Sequence, residues 1–258
     1  MNDNMKLKLM ELRQLLKAYD GGEDDEPSDQ QQGVAQPSLS KASYGTKIIP
    51  LTRKFDEVIK NNNFLDLINS RTSKRKYTQE PITLEELAFL LWSTQGVKQV
   101  LGDNKATFRT VPSAGARHPF ETYVLVHNVE GLTKGLYHYL ALEHKIEFIK
   151  EIDNLSDRII EASWGQAFLG AAAVDFIWTA VPYRSEWRYA ADAYKYILLD
   201  AGHVCQNLYL ASEAIGCGTC AIGAYEQTLT DALLDLDSKP SYEHDNEFVV
   251  YLASVGKV

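Results

Sequence analysis

A chain of 258 residues, 45% hydrophobic and 24% charged, is long enough for one compact core with an appendage. Its formal net charge of -9, with no Lys/Arg stripe interleaved with aromatics, excludes the electrostatic footprint of a nucleic-acid binder. The longest apolar stretch, Phe168 to Val181, is interrupted by Asp175 and falls short of the roughly 20 residues of a bilayer span. The acid-bearing start, Met1-Asn2-Asp3, also lacks the order of a signal peptide, so a cytoplasmic protein without a membrane partner is expected.

In chain order, Lys6 to Lys17 reads as a short amphipathic helix carrying Leu7, Met10, Leu15 and Leu16. Tyr19 to about Lys41 contains Gly-Gly, an acidic run and Gln30-Gln31-Gln32, which bury too little apolar surface to offset their ordering entropy. The chain therefore divides into residues 1–43, a helix and acidic linker, and residues 44–258, a compact domain. Within the domain, Phe55 to Asn69 looks helical, and Thr83-Leu-Glu-Glu86 is a capping box for a helix to about Thr94. Glu121 to Asn128 is strand-like, with Tyr123 and Leu125 alternating against Val124 and Val126. Gly135–Tyr139 and Lys145–Ile149 form a hairpin pattern, Ala171–Ala180 a buried strand and Ala190–Ile215 a long helix. Thr219–Ile222 and Phe248–Ala253 supply further strands. Helices and strands mix without a βαβ rhythm, which predicts an α+β fold, and no GxGxxG follows a strand.

Cys217-Gly-Thr-Cys220 follows a helical pattern and enters a strand, the reverse of a thioredoxin-type pair, and no second CxxC completes a zinc site. These cysteines read as small buried thiols, and no metal is expected. Four other segments could carry chemistry. In the extended run after the first domain helix, Arg71, Ser73 and Arg75 point one way, so two guanidinium forks and a hydroxyl could cradle a phosphate; a solvated basic patch has the same sequence. Pro112-Ser113-Ala114-Gly115 could let a flat ligand approach the backbone, or form a tight turn. Tyr196, Asp200, His203 and Asn207 make one polar stripe on the long helix, read as a structural network with His203 as a satisfied core histidine. Last, Gly223-Ala224 after a small-residue strand could bring backbone N–H groups to a ring.

Taken together and in this order, these segments resemble the nitroreductase family of flavoproteins, nearest its SagB-type dehydrogenase branch, relatives of the azoline oxidases. The likeness runs from about Pro37 to Val258. It rests on Arg71-x-Ser73-x-Arg75, Pro112-Ser-Ala-Gly115, Asp200-Ala-Gly-His-Val-Cys-Gln-Asn207 and Val255-Gly-Lys257. It implies a mixed, mainly antiparallel sheet flanked by helices, a homodimer, and FMN at the interface passing hydride through N5. By the same resemblance Arg71, Ser73 and Arg75, with Lys257, would hold the FMN phosphate and ribityl chain. Pro112, Ser113, Ala114 and Gly115 would line the ring, and the Gly223 and Ala224 amides would face N5 and O4. Azoline oxidases carry Lys-Tyr before the long helix; here Arg188-Tyr189 stands there, and a guanidinium stays protonated near neutral pH. The reading is therefore an FMN-dependent oxidoreductase of small organic substrates, with NAD(P)H as reductant and Arg188 and Tyr189 as the catalytic pair. Peptide azoline dehydrogenation, or a flavin-binding interaction protein without turnover, are its alternatives.

Overall fold

A computed structural model describes residues 2–14, 16–17, 26–103, 105–237 and 242–258. Helix α1 spans Asp3–Gln14 rather than Lys6–Lys17; an acid in its first turn and Arg13 in its last complement the helix dipole, and none of its residues is buried. Part of the expected linker lies outside the described residues. From Glu26 onward, however, the chain is a strap fastened to the body. Asp29 accepts from the Tyr183 hydroxyl (2.6 Å), Gln30 N–H donates to Trp187 O (2.8 Å), the Trp187 indole donates to Val34 O (2.9 Å), and Leu39 is buried. The acidic composition of this segment hides these backbone and side-chain partners.

The strap leads into strand β1 (Lys47–Pro50), which the sequence did not disclose. Helix α2 covers only Phe64–Ser70 of the expected Phe55–Asn69, because the Asn63 side chain caps it by accepting from Leu65 and Asp66 N–H. Helix α3 (Leu84–Gln95) begins at the Thr83–Glu86 capping box as read. A hairpin of β2 (Val97–Leu101) and β3 (Ala106–Arg109) follows, then β4 (Phe120–Val126), β5 (Gly135–Leu140) and β6 (Lys145–Lys150). Next come α4 (Leu155–Ala162), α5 (Ala167–Gly170), β7 (Val174–Ala180) and α6 (Tyr183–Tyr189). The chain closes with α7 (Ala193–Ala214), β8 (Cys217–Ile222), α8 (Gln227–Leu233) and β9 (Phe248–Lys257). The expected single helix from Ala190 is thus preceded by α6. Ala190 sits at φ 45°, ψ -125°, which breaks the helical path between the two.

Among the described residues the main sheet has the order β1-β6-β5-β4-β7-β9-β8, every neighbouring pair antiparallel. The period-2 alternation of β4 divides two cores. Val124 and Val126 pack with Phe176 and Trp178 against Leu90 and Leu91 of α3 and Val204 and Leu208 of α7. Tyr123 and Leu125 pack on the other face with Ile177 and Leu252 against Ile159 of α4 and Leu233 of α8. Helices on both faces of a mainly antiparallel sheet make the α+β class expected from the sequence.

A buried polar network ties the strap to this sheet. His138 lies between two carboxylates, Nε2 at 2.9 Å from Glu121 and Nδ1 at 2.8 Å from Glu147. Glu121 also accepts from Lys41 N–H (2.7 Å) and Arg184 (2.5 Å), while Glu147 accepts from Ser43 (2.5 Å) and Gly45 N–H (2.8 Å). Burial opposes the charge on Glu121, but Arg184 and His138 outweigh it and hold its carboxyl well below the usual range. Burial likewise opposes a charged His138, yet its two carboxylate partners raise its pKa above the ordinary imidazole value.

Candidate functional site

The basic run leaves α2 as extended backbone alongside β8: Ser73 pairs in parallel with Thr219, and Lys74 N–H donates to Thr219 O at 3.0 Å. That pairing sets the alternation of the side chains. The Arg71 guanidinium lies over the Tyr209 ring (5.3 Å), and Ser73 Oγ meets the Tyr209 hydroxyl (2.9 Å). Arg75 lies over the Phe168 ring (5.8 Å), and both Ser73 and Arg75 reach the Cys220 thiol. Among the described residues neither Arg71 nor Arg75 has a carboxylate within ion-pair distance. Two guanidiniums and a hydroxyl are thus gathered on Tyr209 and Cys220 with their charge uncompensated. Tyr209, which also accepts from Ala221 N–H at 2.9 Å, was missed in the sequence; nothing in helical spacing marks it as the floor of this cradle.

The loop after β3 is held from α7. Ala114 N–H donates to both Asp200 oxygens (3.2 and 3.3 Å), Ser113 also bonds to this carboxylate, and Ser113 Oγ accepts from His118 N–H (2.8 Å). Burial raises the Asp200 pKa above the carboxylate norm against those hydrogen bonds. Gly115 adopts φ 57°, and a Cβ there would stand 2.5 Å from the Tyr189 hydroxyl and 2.9 Å from Arg188 Cδ and Nε. The loop and the Arg188–Tyr189 pair, far apart in sequence, are therefore packed together at the end of α6. Pro112 is exposed at the mouth of this loop. The polar stripe is largely structural: Asp200 holds the loop, Asn207 Nδ2 donates to Ser93 O (2.9 Å), and the Tyr196 ring packs on Tyr189 (4.7 Å). His203 is a correction, since it is exposed on the outer side of α7 rather than in the core.

At the end of β8, Gly223 and Ala224 are exposed, and nothing stands within 4 Å of where a Gly223 Cβ would be. Ala224 O accepts from Gln166 Nε2 at 2.8 Å. Gly223 lies four residues beyond Thr219, about 13 Å along one strand, so the cradle and this open loop share an edge. Lys257, opposite Cys217 on β9, turns its side chain to Glu86. Its ammonium is buried 2.5 Å from Glu86 Oε1, in an ion pair between β9 and α3. Burial opposes its charge, but Glu86 raises the Lys257 pKa above the ordinary lysine value. Cys217 and Cys220 are buried thiols without a disulfide, and burial pushes Cys217 up to about 12, far from the reactive range. A cavity of about 1130 Å³ lies away from all of these groups, beneath the strap, lined by Lys41, Tyr183, Arg184, His244 and Glu247 among others.

The α+β sheet thus carries an uncompensated cationic cradle, an open glycine loop and a tethered small-residue turn. The nitroreductase family model matches residues 68–257, so the chain belongs to the nitroreductase family, a family of oxidoreductases. A Methanocaldococcus jannaschii protein named as a nitroreductase, MJ1384, is 33% identical over 175 residues, covering 68% of this chain and 85% of that protein. The trifolitoxin-processing protein TfxB of Rhizobium leguminosarum bv. trifolii is 30% identical over 141 residues, 50% of this chain but only 36% of TfxB. The fold also matches a chain of the E. coli microcin synthetase McbBCD complex, solved with truncated pro-MccB17 bound. That match has a TM-score of 0.59 at 16% identity and covers 100% of this chain and 94% of the other. No helix among the described residues is long and apolar enough to cross a membrane.

Proposed function

We propose that this chain is an FMN-dependent oxidoreductase that works as a homodimer on small organic substrates, with NAD(P)H as reductant. The observation that carries the reading is the Arg71–Ser73–Arg75 cradle. A terminal monophosphate offers acceptor oxygens to both guanidinium forks and the hydroxyl, and no carboxylate of the described residues competes for them. The residues present fit the rest of FMN as well: the space beside Gly223 admits a ring edge, and the Asp200-held turn from Pro112 to Gly115 offers small residues. Bound there, FMN supplies hydride transfer through its N5. The protein's part is to hold phosphate with Arg71, Ser73 and Arg75, and to offer the Gly223 and Ala224 amides to the ring. Tyr189 donates a proton to the reduced product beside Arg188, whose fixed charge attracts a carbonyl-bearing or anionic substrate.

The dimer is supported by an exposed apolar stripe along the outer side of α7. Tyr194, Leu198 and Leu199 are 53%, 66% and 53% exposed, and Gly202 beside them leaves room for close approach. Azoline dehydrogenation on a peptide is the second reading, favoured by the similarity to TfxB and placing the chain on the SagB-type side of the family. Arg188 at the position of the azoline oxidase lysine weighs against it, because a guanidinium does not accept a ring proton near neutral pH.

Heat release and chromatography of the cofactor, with anaerobic NADH and NADPH reduction, test the proposal. FMN is the species expected. Arg71→Ala and Arg75→Ala should each weaken FMN binding by about 1.5–3 kcal/mol, the range for charge-assisted hydrogen bonds. Unchanged affinity in both variants returns the cradle to a solvated surface patch.

A further inference from the structure

Asp175 interrupts the longest apolar stretch of the chain, and β7 carries it, wholly buried, between β4 and β9 in the main sheet. A buried carboxylate is costly unless hydrogen bonds compensate it. Here Oδ2 lies 2.8 Å from His127 Nε2, while Oδ1 has no partner among the described residues. A carboxylate only accepts, so the neutral His127 ring keeps its proton on Nε2 and leaves Nδ1 as an acceptor. Ser156 Oγ stands 3.3 Å from that Nδ1. A hydroxyl from α4, an imidazole from just past β4 and a carboxylate from β7 therefore follow one another within hydrogen-bond reach.

Ser156 is half-buried in the first turn of α4. In the resting chain its hydroxyl donates to Gly170 O at 3.0 Å, and rotation about the Cβ–Oγ bond redirects the proton to His127. Asn154, the cap of α4 in left-handed backbone (φ 52°), makes no side-chain hydrogen bond to the first turn, which leaves the amides of Ser156 and Asp157 open. Amides of a serine nucleophile and of the residue after it are the donors that steady an acyl-transfer oxyanion. Two hollows of about 370 and 260 Å³ are both lined by His127, Ser156 and Lys134, and the larger adds Thr78, Gln79 and Asn128. These polar walls suit a short acyl chain. We propose that Ser156, His127 and Asp175 form a hydrolytic site for small carboxylic esters, built from none of the residues assigned to the flavin. Ser156 Oγ attacks the ester carbonyl carbon as its proton passes to His127 Nδ1; the bond to the leaving oxygen breaks, and the departing alcohol takes that proton. Water then attacks the acyl group and gives a proton to His127, which returns it to Ser156 Oγ as the carboxylic acid leaves. Asp175 is a positioning residue: it holds the tautomer in which Nδ1 is free and steadies the charged ring.

The test gives the full chain 4-nitrophenyl acetate and follows release of 4-nitrophenol beyond one equivalent per chain, which separates turnover from acetylation of lysines. Ser156→Ala and His127→Gln should each lower kcat by about 100-fold or more. Ser156→Ala removes one half-buried hydroxyl and should keep the parent's urea midpoint, so its loss of turnover is not a loss of folding. Phenylmethylsulfonyl fluoride should add one sulfonyl group to the parent, on the peptide that carries Ser156. Asp175→Asn, whose amide can hold the other tautomer, should lower kcat by up to about 10⁴-fold at neutral pH and leave a rate that climbs with hydroxide. A fall by the same factor at every pH would remove Asp175 from its positioning role. Equal turnover in Ser156→Ala and the parent overturns the proposal, as does a parent that releases no more than one equivalent or takes its sulfonyl group elsewhere.

Discussion

Adding one methyl group at Gly115 probes the contact between the tethered turn and the Arg188–Tyr189 pair. Two costs follow from the geometry. Alanine at φ 57° is disfavoured relative to glycine by about 1–2 kcal/mol. Its Cβ would also stand 2.5 Å from the Tyr189 hydroxyl and 2.9 Å from Arg188, and overpacking of this kind costs about 1–3 kcal/mol. Both contacts are to side chains that can shift, so a total of about 3 kcal/mol is expected for Gly115→Ala, measured by urea denaturation with an unchanged slope. Tyr189→Phe removes the atom that meets the new methyl group first. In that background the same glycine substitution should cost about 1 kcal/mol less, a coupling visible in a double-mutant cycle. A Gly115→Ala protein within about 0.5 kcal/mol of its parent, or a cycle with no coupling, would refute the packing of loop against pair.

Other perturbations address the rest of the fold. Glu86→Gln leaves the buried Lys257 charge unpaired and should destabilise by about 3 kcal/mol or more, whereas Glu86→Leu with Lys257→Met should recover most of it, both read by urea denaturation. His138 has a folded pKa above its unfolded value of about 6.5, so its ion pairs stabilise fully below that pH and fade as pH rises through the folded value. The stability lost in His138→Gln should therefore be largest near pH 5.5–6.5 and shrink in alkaline buffer; a pH-independent difference would contradict the charged network. Glu121 and Glu147 have lowered pKa values and act in the opposite sense, losing their contribution as acid takes the pH below about 4.3. For the proposed dimer, Leu198→Glu on the outer stripe of α7 should shift sedimentation toward the monomer, and an unaltered distribution would remove this face from the interface.

The sequence by itself determined the α+β class, the alternation of β4, the α3 capping box and the run Arg71–Ser73–Arg75, because each follows from local periodicity or from hydrogen bonds within a few residues. It misjudged the residues whose state depends on distant partners. The strap from Glu26 reads as solvated linker, yet Tyr183, Trp187, Glu121 and Glu147 hold it in place. The ion pair of Lys257 with Glu86, 171 residues earlier in the chain, is likewise not legible in the sequence. His203 lies on a stripe with buried Asp200, but the angle of α7 on the sheet turns it outward. Only the tertiary structure decided that Gly115 meets Tyr189, that Tyr209 floors the cationic cradle, and that Gln166 ties the turn after α4 to Ala224. Such juxtapositions are set by how helices settle on the sheet, and a side chain carries no local record of what another element will bring against it.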